Sequence, residues 1–146
     1  MKNIRNRNIF LDANVIIDYV LNRKYNTDNA NALFEYAQKL SVRLYICSYT
    51  FAIAYHYLRD ASVPHIQAIK TLERLFQEVK SLPVDDVIIK QAMESDFRDF
   101  EDAIQYYCAI QINKCEVIIT RNPKDFVSGN LPVTTPQKFL AHLLKD

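Results

Sequence analysis

A chain of 146 residues with a single glycine, Gly129, has few ways to turn sharply. The tight hairpins of all-β folds lean on glycine to reach positive φ, and phosphate-cradling loops need it for close backbone approach. With one glycine and five prolines, the sequence is expected to form helices joined by short polar loops. Hydrophobic residues make up 49% and charged residues 24%, a balance that supports a packed core and argues against disorder. The length suits one domain, taken as residues 1–146.

The apolar pattern alternates short runs with helical periods. Ile9 to Leu11 reads as a buried parallel-type strand, and Asn14 to Leu21 as a helix directly after it. A polar loop is expected over Asn22 to Asn29, then a helix from Ala30 to Leu40 capped by Asp28 or Asn29. Val42 to Cys47 reads as a second strand, with Ser48 as N-cap of a helix from Tyr49 to Arg59. Pro64 opens a helix running to about Lys80; Leu82 to Val84 is extended, and Asp85 and Asp86 cap the next helix. Phe100 to Asn113 reads as a central apolar helix and Val117 to Ile119 as a third buried strand. Leu131 to Thr134 is an extended edge, and a last helix runs from Pro136 to Leu144. Strands alternating with helices predict a three-layer α/β domain with a mostly parallel sheet.

The formal net charge is +1, so no global basic field advertises nucleic acid, and any such site must be local or cation-assisted. Cys47, Cys108 and Cys115 show no zinc or redox spacing; Cys47 and Cys108, in apolar surroundings, read as buried free thiols, and reduced thiols suit a cytoplasmic protein. Met1 to Asn8 is polar with no long apolar stretch behind it, so neither a signal peptide nor a membrane span is expected. His56, His65 and His142 form no site by spacing.

Chemistry concentrates in the acids. Asp12 ends an apolar strand just where a helix begins, which is where ligands sit in open α/β sheets. The same position could equally be a plain N-cap, although Asn14 two residues on could orient the carboxylate. Asp99 and Asp102 are three apart and would share a face if the helix already begins there, with Glu101 turned to solvent. Asp125 follows the third strand in Thr120-Arg121-Asn122-Pro123-Lys124-Asp125, on the edge expected for Asp12, with Thr120 and Asn122 facing the same crevice. Carboxylates gathered in one crevice raise one another's pKa unless a cation is bound, and hard oxygen ligands suit Mg²⁺ or Mn²⁺.

These residues together resemble the PIN domain, the nuclease fold of VapC-type toxins. The likeness is carried, in the family's order, by Phe10-Leu11-Asp12-Ala13-Asn14-Val15, Cys47-Ser48-Tyr49-Thr50-Phe51-Ala52, Asp99-Phe100-Glu101-Asp102-Ala103 and Ile118-Ile119-Thr120-Arg121-Asn122-Pro123-Lys124-Asp125-Phe126. It implies a three-layer α/β/α PIN-like fold with a short, mostly parallel sheet. It further implies a Mg²⁺- or Mn²⁺-dependent endoribonuclease that cuts RNA by metal-activated water, the toxin half of a toxin–antitoxin pair with an antitoxin protein as partner. Asp12 matches the first family acid and Asp102 the third, while Asp125 and Asn122 fall in the fourth motif. Asn14, Ser48 and Thr120 match supporting polar positions. Asp12, Asp102 and Asp125 would hold metal, with Asp99 as a substitute ligand, and Arg121 and Lys124 would hold phosphates. Aromatic-rich helix faces, in a chain with nine Tyr and eight Phe, also make a homodimer plausible.

Two positions depart from the family pattern. Ile53 stands where the family usually has a Glu, and Asn122 where many relatives have an Asp. The alternative they support is a PIN-like RNA- or partner-binding module with impaired catalysis. A haloacid-dehalogenase-like phosphatase, with Asp12 as nucleophile, would want a second Asp where this chain has Asn14.

Overall fold

The computed structural model describes residues 7–22 and 26–143. Residues 1–6 of the polar N-terminal segment, residues 23–25 of the expected loop and the expected helix end at Leu144 lie outside these described residues. The element order is β1 (Asn8–Leu11), α1 (Ala13–Leu21), α2 (Thr27–Leu40), β2 (Arg43–Cys47), α3 (Thr50–Asp60), α4 (His65–Glu78), β3 (Lys80–Leu82), α5 (Asp86–Met93), α6 (Phe100–Ala109), β4 (Cys115–Ile119), β5 (Val133–Thr134) and α7 (Pro136–Leu143). A 3-10 turn over Pro123–Phe126 lies between β4 and β5.

Every strand pairing is parallel, in the order β3-β2-β1-β4-β5. The chain builds outward from β1 to β2 and β3, then returns to the other side of β1 for β4 and β5. The order reverses between β1 and β4, so the loops leaving these two strands diverge and open a crevice at their carboxyl ends.

Side-chain alternation along β1 makes the three layers. Ile9 and Leu11 face one core, packed with Val15 and Ile16 of α1, Leu33 and Phe34 of α2, and Phe139 of α7. Phe10 faces the opposite core, with Ile88 of α5, Ala103 and Cys108 of α6, and Ile118 of β4. All three β1 side chains have no exposure, as expected of a strand covered on both faces. At about 1.5–3 kcal/mol per fully buried large apolar side chain, these two cores hold the sheet between its helical layers.

Several element ends differ from the sequence pattern. Helix α2 starts at Thr27 rather than Ala30, because the Thr27 hydroxyl donates to the Asp18 carbonyl at 2.9 Å and ties the first turn to α1. Ser48 does not cap α3; Tyr49 occupies the cap position with no side-chain capping bond, and the Ser48 amide donates to Leu82 O at 2.8 Å, extending the β2–β3 pairing. Helix α6 stops at Ala109, and the chain leaves it through tighter turns (Gln111 N to Cys108 O, Ile112 N to Ala109 O) and a left-handed Lys114 with φ of 60°. Those turns bury Ile112 and reverse the chain into β4. No helix among the described residues is long and apolar enough to cross a membrane.

The lone glycine serves the loop after β4. Its amide donates to Phe126 O at 3.0 Å, and a Cβ at Gly129 would run into the Tyr106 ring, whose hydroxyl accepts from Asn130 N at 2.9 Å. Gly129→Ala should therefore destabilise the fold by about 1–3 kcal/mol through overpacking. Chemical denaturation checks this, and an unchanged midpoint would mean that the ring yields freely.

Candidate active site

Asp12 is where the two diverging loops meet. The Asp12 amide donates to Ile119 O at 3.0 Å, so β1 stays paired with β4 up to the residue that starts α1. Its side chain does not cap that helix. It points instead between α6 and the β4 end, at 4% exposure, where Gln105 Nε2 donates to Oδ1 at 2.7 Å and the Thr120 hydroxyl donates to Oδ2 at 2.6 Å.

Both donors are held in orientation by others. Gln105 Oε1 accepts the Ala13 amide at 2.8 Å. Thr120 Oγ1 accepts from Asn14 Nδ2 at 3.2 Å and from Asn122 N at 3.1 Å, which leaves its own proton for Asp12. Asn14 Oδ1 in turn accepts the Arg121 amide at 3.2 Å. Burial pushes the Asp12 carboxyl above its ordinary range, against the opposing pull of the Thr120 and Gln105 bonds.

In front of Asp12 lies a crevice of about 470 Å³. One wall carries Asp12, Asp99, Glu101, Asp102 and Asp125, with Asn14 and Asn122. Tyr49, Ile53, His56 and Tyr57, from the start of α3 and along it, line the crevice as well. Six of the residues expected at the site thus meet in one place: Asp12, Asn14, Asp99, Asp102, Asn122 and Asp125. Glu101, expected to face solvent away from the site, lines it as well. Asp99 reaches the crevice as the N-cap of α6, its Oδ1 accepting from Asp102 N at 3.0 Å, rather than as a face-mate one helical turn before Asp102.

Four residues lie outside the crevice lining. Thr120 is fully buried behind Asp12 and acts on the crevice through that carboxylate. Ser48 is exposed on the loop between β2 and α3, outside the crevice lining. The Arg121 guanidinium turns inward, with Nε 2.8 Å from Asp18 Oδ2, and Asp18 is only 2% exposed. Lys124 remains exposed beside the crevice loop. Gln105 is absent from the motif reading. Its one signal is an amide in the otherwise apolar stretch Ala103-Ile104-Gln105-Tyr106, three residues after Asp102.

The electrostatics follow from this crowding. The Asp102 carboxyl is raised to about 7, first by burial and then by the negative charges of Asp12, Asp99, Asp125 and Glu101. Among the described residues no three of these acids close into a ready-made ligand cluster. The donor set is nonetheless all oxygen on its acidic wall, the chemistry a hard divalent cation takes, with water completing the shell.

Comparison with known proteins identifies the family. The PIN domain description matches residues 8–124, ending one residue before Asp125. That match spans most of the chain, which belongs to the PIN domain family. Among solved structures, a toxin–antitoxin complex from Klebsiella pneumoniae is similar, with 21% identity, 88% of this chain and 97% of that chain covered, and a TM-score of 0.63. VapBC2 from Rickettsia felis, bound to promoter DNA, is similar with 15% identity, coverage of 88% and 98%, and a TM-score of 0.65. VapC20 from Mycobacterium tuberculosis, a toxin that cleaves the sarcin-ricin loop, is similar with 16% identity, coverage of 75% and 86%, and a TM-score of 0.59. No curated protein matches the chain.

Two outcomes are expected from the charges. Between its ordinary value of 3.8 and its folded value of about 7, Asp102 keeps a proton in the folded protein that the unfolded chain has lost. Its contribution to stability therefore falls as pH rises through that window and then levels. In chelator, Asp102→Asn should be more stable than wild type by about 1 kcal/mol near pH 8, the shift being discounted for partial exposure. Thermal melts should show the difference shrinking as pH falls through that window and vanishing only below the ordinary value of 3.8. Arg121→Met should destabilise by about 3 kcal/mol, because it breaks the ion pair between Arg121 and buried Asp18. Lost RNA binding at unchanged stability would instead restore Arg121 as a phosphate contact.

Proposed function

We propose that this PIN domain is a divalent-cation-dependent endoribonuclease and the toxin of a toxin–antitoxin pair. The observation that carries the reading is the buried Asp12, supplied with neutral donors only, lining an open crevice together with Asp102 and further acids. Negative charge gathered this way and left without a lysine or arginine among the crevice-lining residues calls for a cation.

Asp12 and Asp102 would hold Mg²⁺ or Mn²⁺, with Asp125, Asn122 and Asp99 within the same crevice to complete or orient its shell. The bound cation supplies Lewis acidity toward a phosphodiester and toward the water that attacks it. Gln105, Thr120 and Asn14 fix the Asp12 carboxylate; Lys124, exposed on the loop after β4, is free to meet an RNA phosphate. Ser48 and Arg121 have no part in the contacts. The toxin assignment is supported by the folds it resembles, which are solved as toxin–antitoxin complexes or as an RNA-cleaving toxin. It carries with it an antitoxin protein as partner and a cytoplasmic site of action on RNA.

A specific observation favours a second reading. Ile53 lines the crevice at the position where the resemblance puts a family Glu, so the α3 wall offers no carboxylate. That reading is a PIN-like binding module whose catalysis is impaired. Incubation of single-stranded RNA with the protein in Mg²⁺, Mn²⁺ or chelator decides between the two. Nuclease function requires cleavage in a divalent cation and a drop of about 100-fold or more in Asp12→Asn. RNA binding without cleavage, together with cation-dependent cleavage gained in Ile53→Glu, would establish the binding module instead.

A further inference from the structure

We infer that Gln105 is the positioning residue that presets Asp12 and Asp102 for the cation before any cation arrives. The inference rests on the cation-dependent reading above and concerns how that site is kept assembled.

Gln105 is 2% exposed, so its amide must find its partners inside the protein. It finds two, on the same short segment: Oε1 accepts the Ala13 amide at 2.8 Å, and Nε2 donates to Asp12 Oδ1 at 2.7 Å. A backbone amide can only donate, so Ala13 settles which end of the Gln105 amide faces Asp12. Flipping the group would lose one bond and set Oε1 against a carboxylate oxygen. The Asp12 side chain is therefore gripped from α6 on one oxygen and from Thr120 on the other, and its rotation is fixed.

The grip also spans the gap that charge would widen. Gln105 sits three residues after Asp102, on the same stretch of α6. Once both are ionised, Asp12 and Asp102 carry like charge, and without a cation their repulsion acts to push the start of α6 away from the end of β1. The two Gln105 bonds join α6 to the Asp12–Ala13 corner and oppose that separation. Because the clamp is neutral, Asp12 keeps its charge for an incoming cation. A lysine or arginine in the same place would hold the segment but cancel that charge.

The test is Mn²⁺ titration of the full chain by calorimetry, with RNA cleavage kinetics alongside. Gln105→Met keeps the size and removes both hydrogen bonds. It should bind Mn²⁺ about tenfold or more weaker than wild type, and lower kcat while KM for RNA stays within about twofold. In an Asp12→Asn background the same replacement should cause no further loss of Mn²⁺ affinity, since it acts through Asp12. Gln105→Asn, one methylene too short to reach both partners, should show the same loss and replaces Gln105→Met if that variant does not fold. Wild-type binding with unchanged affinity in these variants overturns the clamp and leaves the nuclease reading standing. Equal losses with and without Asp12 also overturn it, and a wild-type chain that binds no Mn²⁺ overturns both.

Discussion

A carboxylate placed at the end of a fully buried strand must be answered by hydrogen-bond donors, and the answer given to Asp12 organises the whole crevice. An ionised group out of water is destabilising unless its oxygens are partnered. Here the partners come from separate parts of the chain: Gln105 from α6, Thr120 from the end of β4, and Asn14 of α1 behind Thr120. Satisfying one charge thus knits together the two loops that the strand order forces apart. The loop after β4 carries Asn122 and Asp125, so its attachment to α1 through Thr120 and Asn14 also sets where those groups stand.

The donors hold Asp12 without neutralising it, and the neighbouring acids add charge that nothing on the crevice wall offsets. A protein selected only for stability would place a cationic side chain there. This one spends its nearby cation elsewhere, with Arg121 turned toward buried Asp18 on the far side of the same loop. The result is local strain of electrostatic origin, concentrated on Asp102 and relieved by protonation or by a divalent ion.

Much of the fold was legible because one short pattern encodes it. Ile9, Phe10 and Leu11, apolar without a break, can only be a strand covered on both faces, and the acid that follows must then lie at the sheet edge. The convergence of Asp12 and Asp125 was legible for the same reason, since parallel strands deliver all their carboxyl ends to one side; Asp99 and Asp102 open a helix that follows another helix, and only the family resemblance placed them there. Contacts decided in three dimensions were not. Gln105 was hidden because an amide in an apolar helix carries no motif, and its meaning lies in the Ala13 amide that orients it. Arg121 looked like a phosphate ligand because sequence cannot show that Asp18, more than a hundred residues earlier, lies within reach. Ser48 looked like a cap because sequence does not show that α3 starts at Thr50, which puts Tyr49 in the cap position.

The sheet ends on both sides in very short strands, Lys80–Leu82 and Val133–Thr134. Three and two residues present too little unpaired backbone to template a neighbouring strand, and Lys80 further blunts one of these margins. The sheet is thereby closed to growth from either margin. Any partner this protein recruits, whether a second copy or another chain, has to be met on its helices and loops, through side chains rather than through a shared ladder of backbone hydrogen bonds.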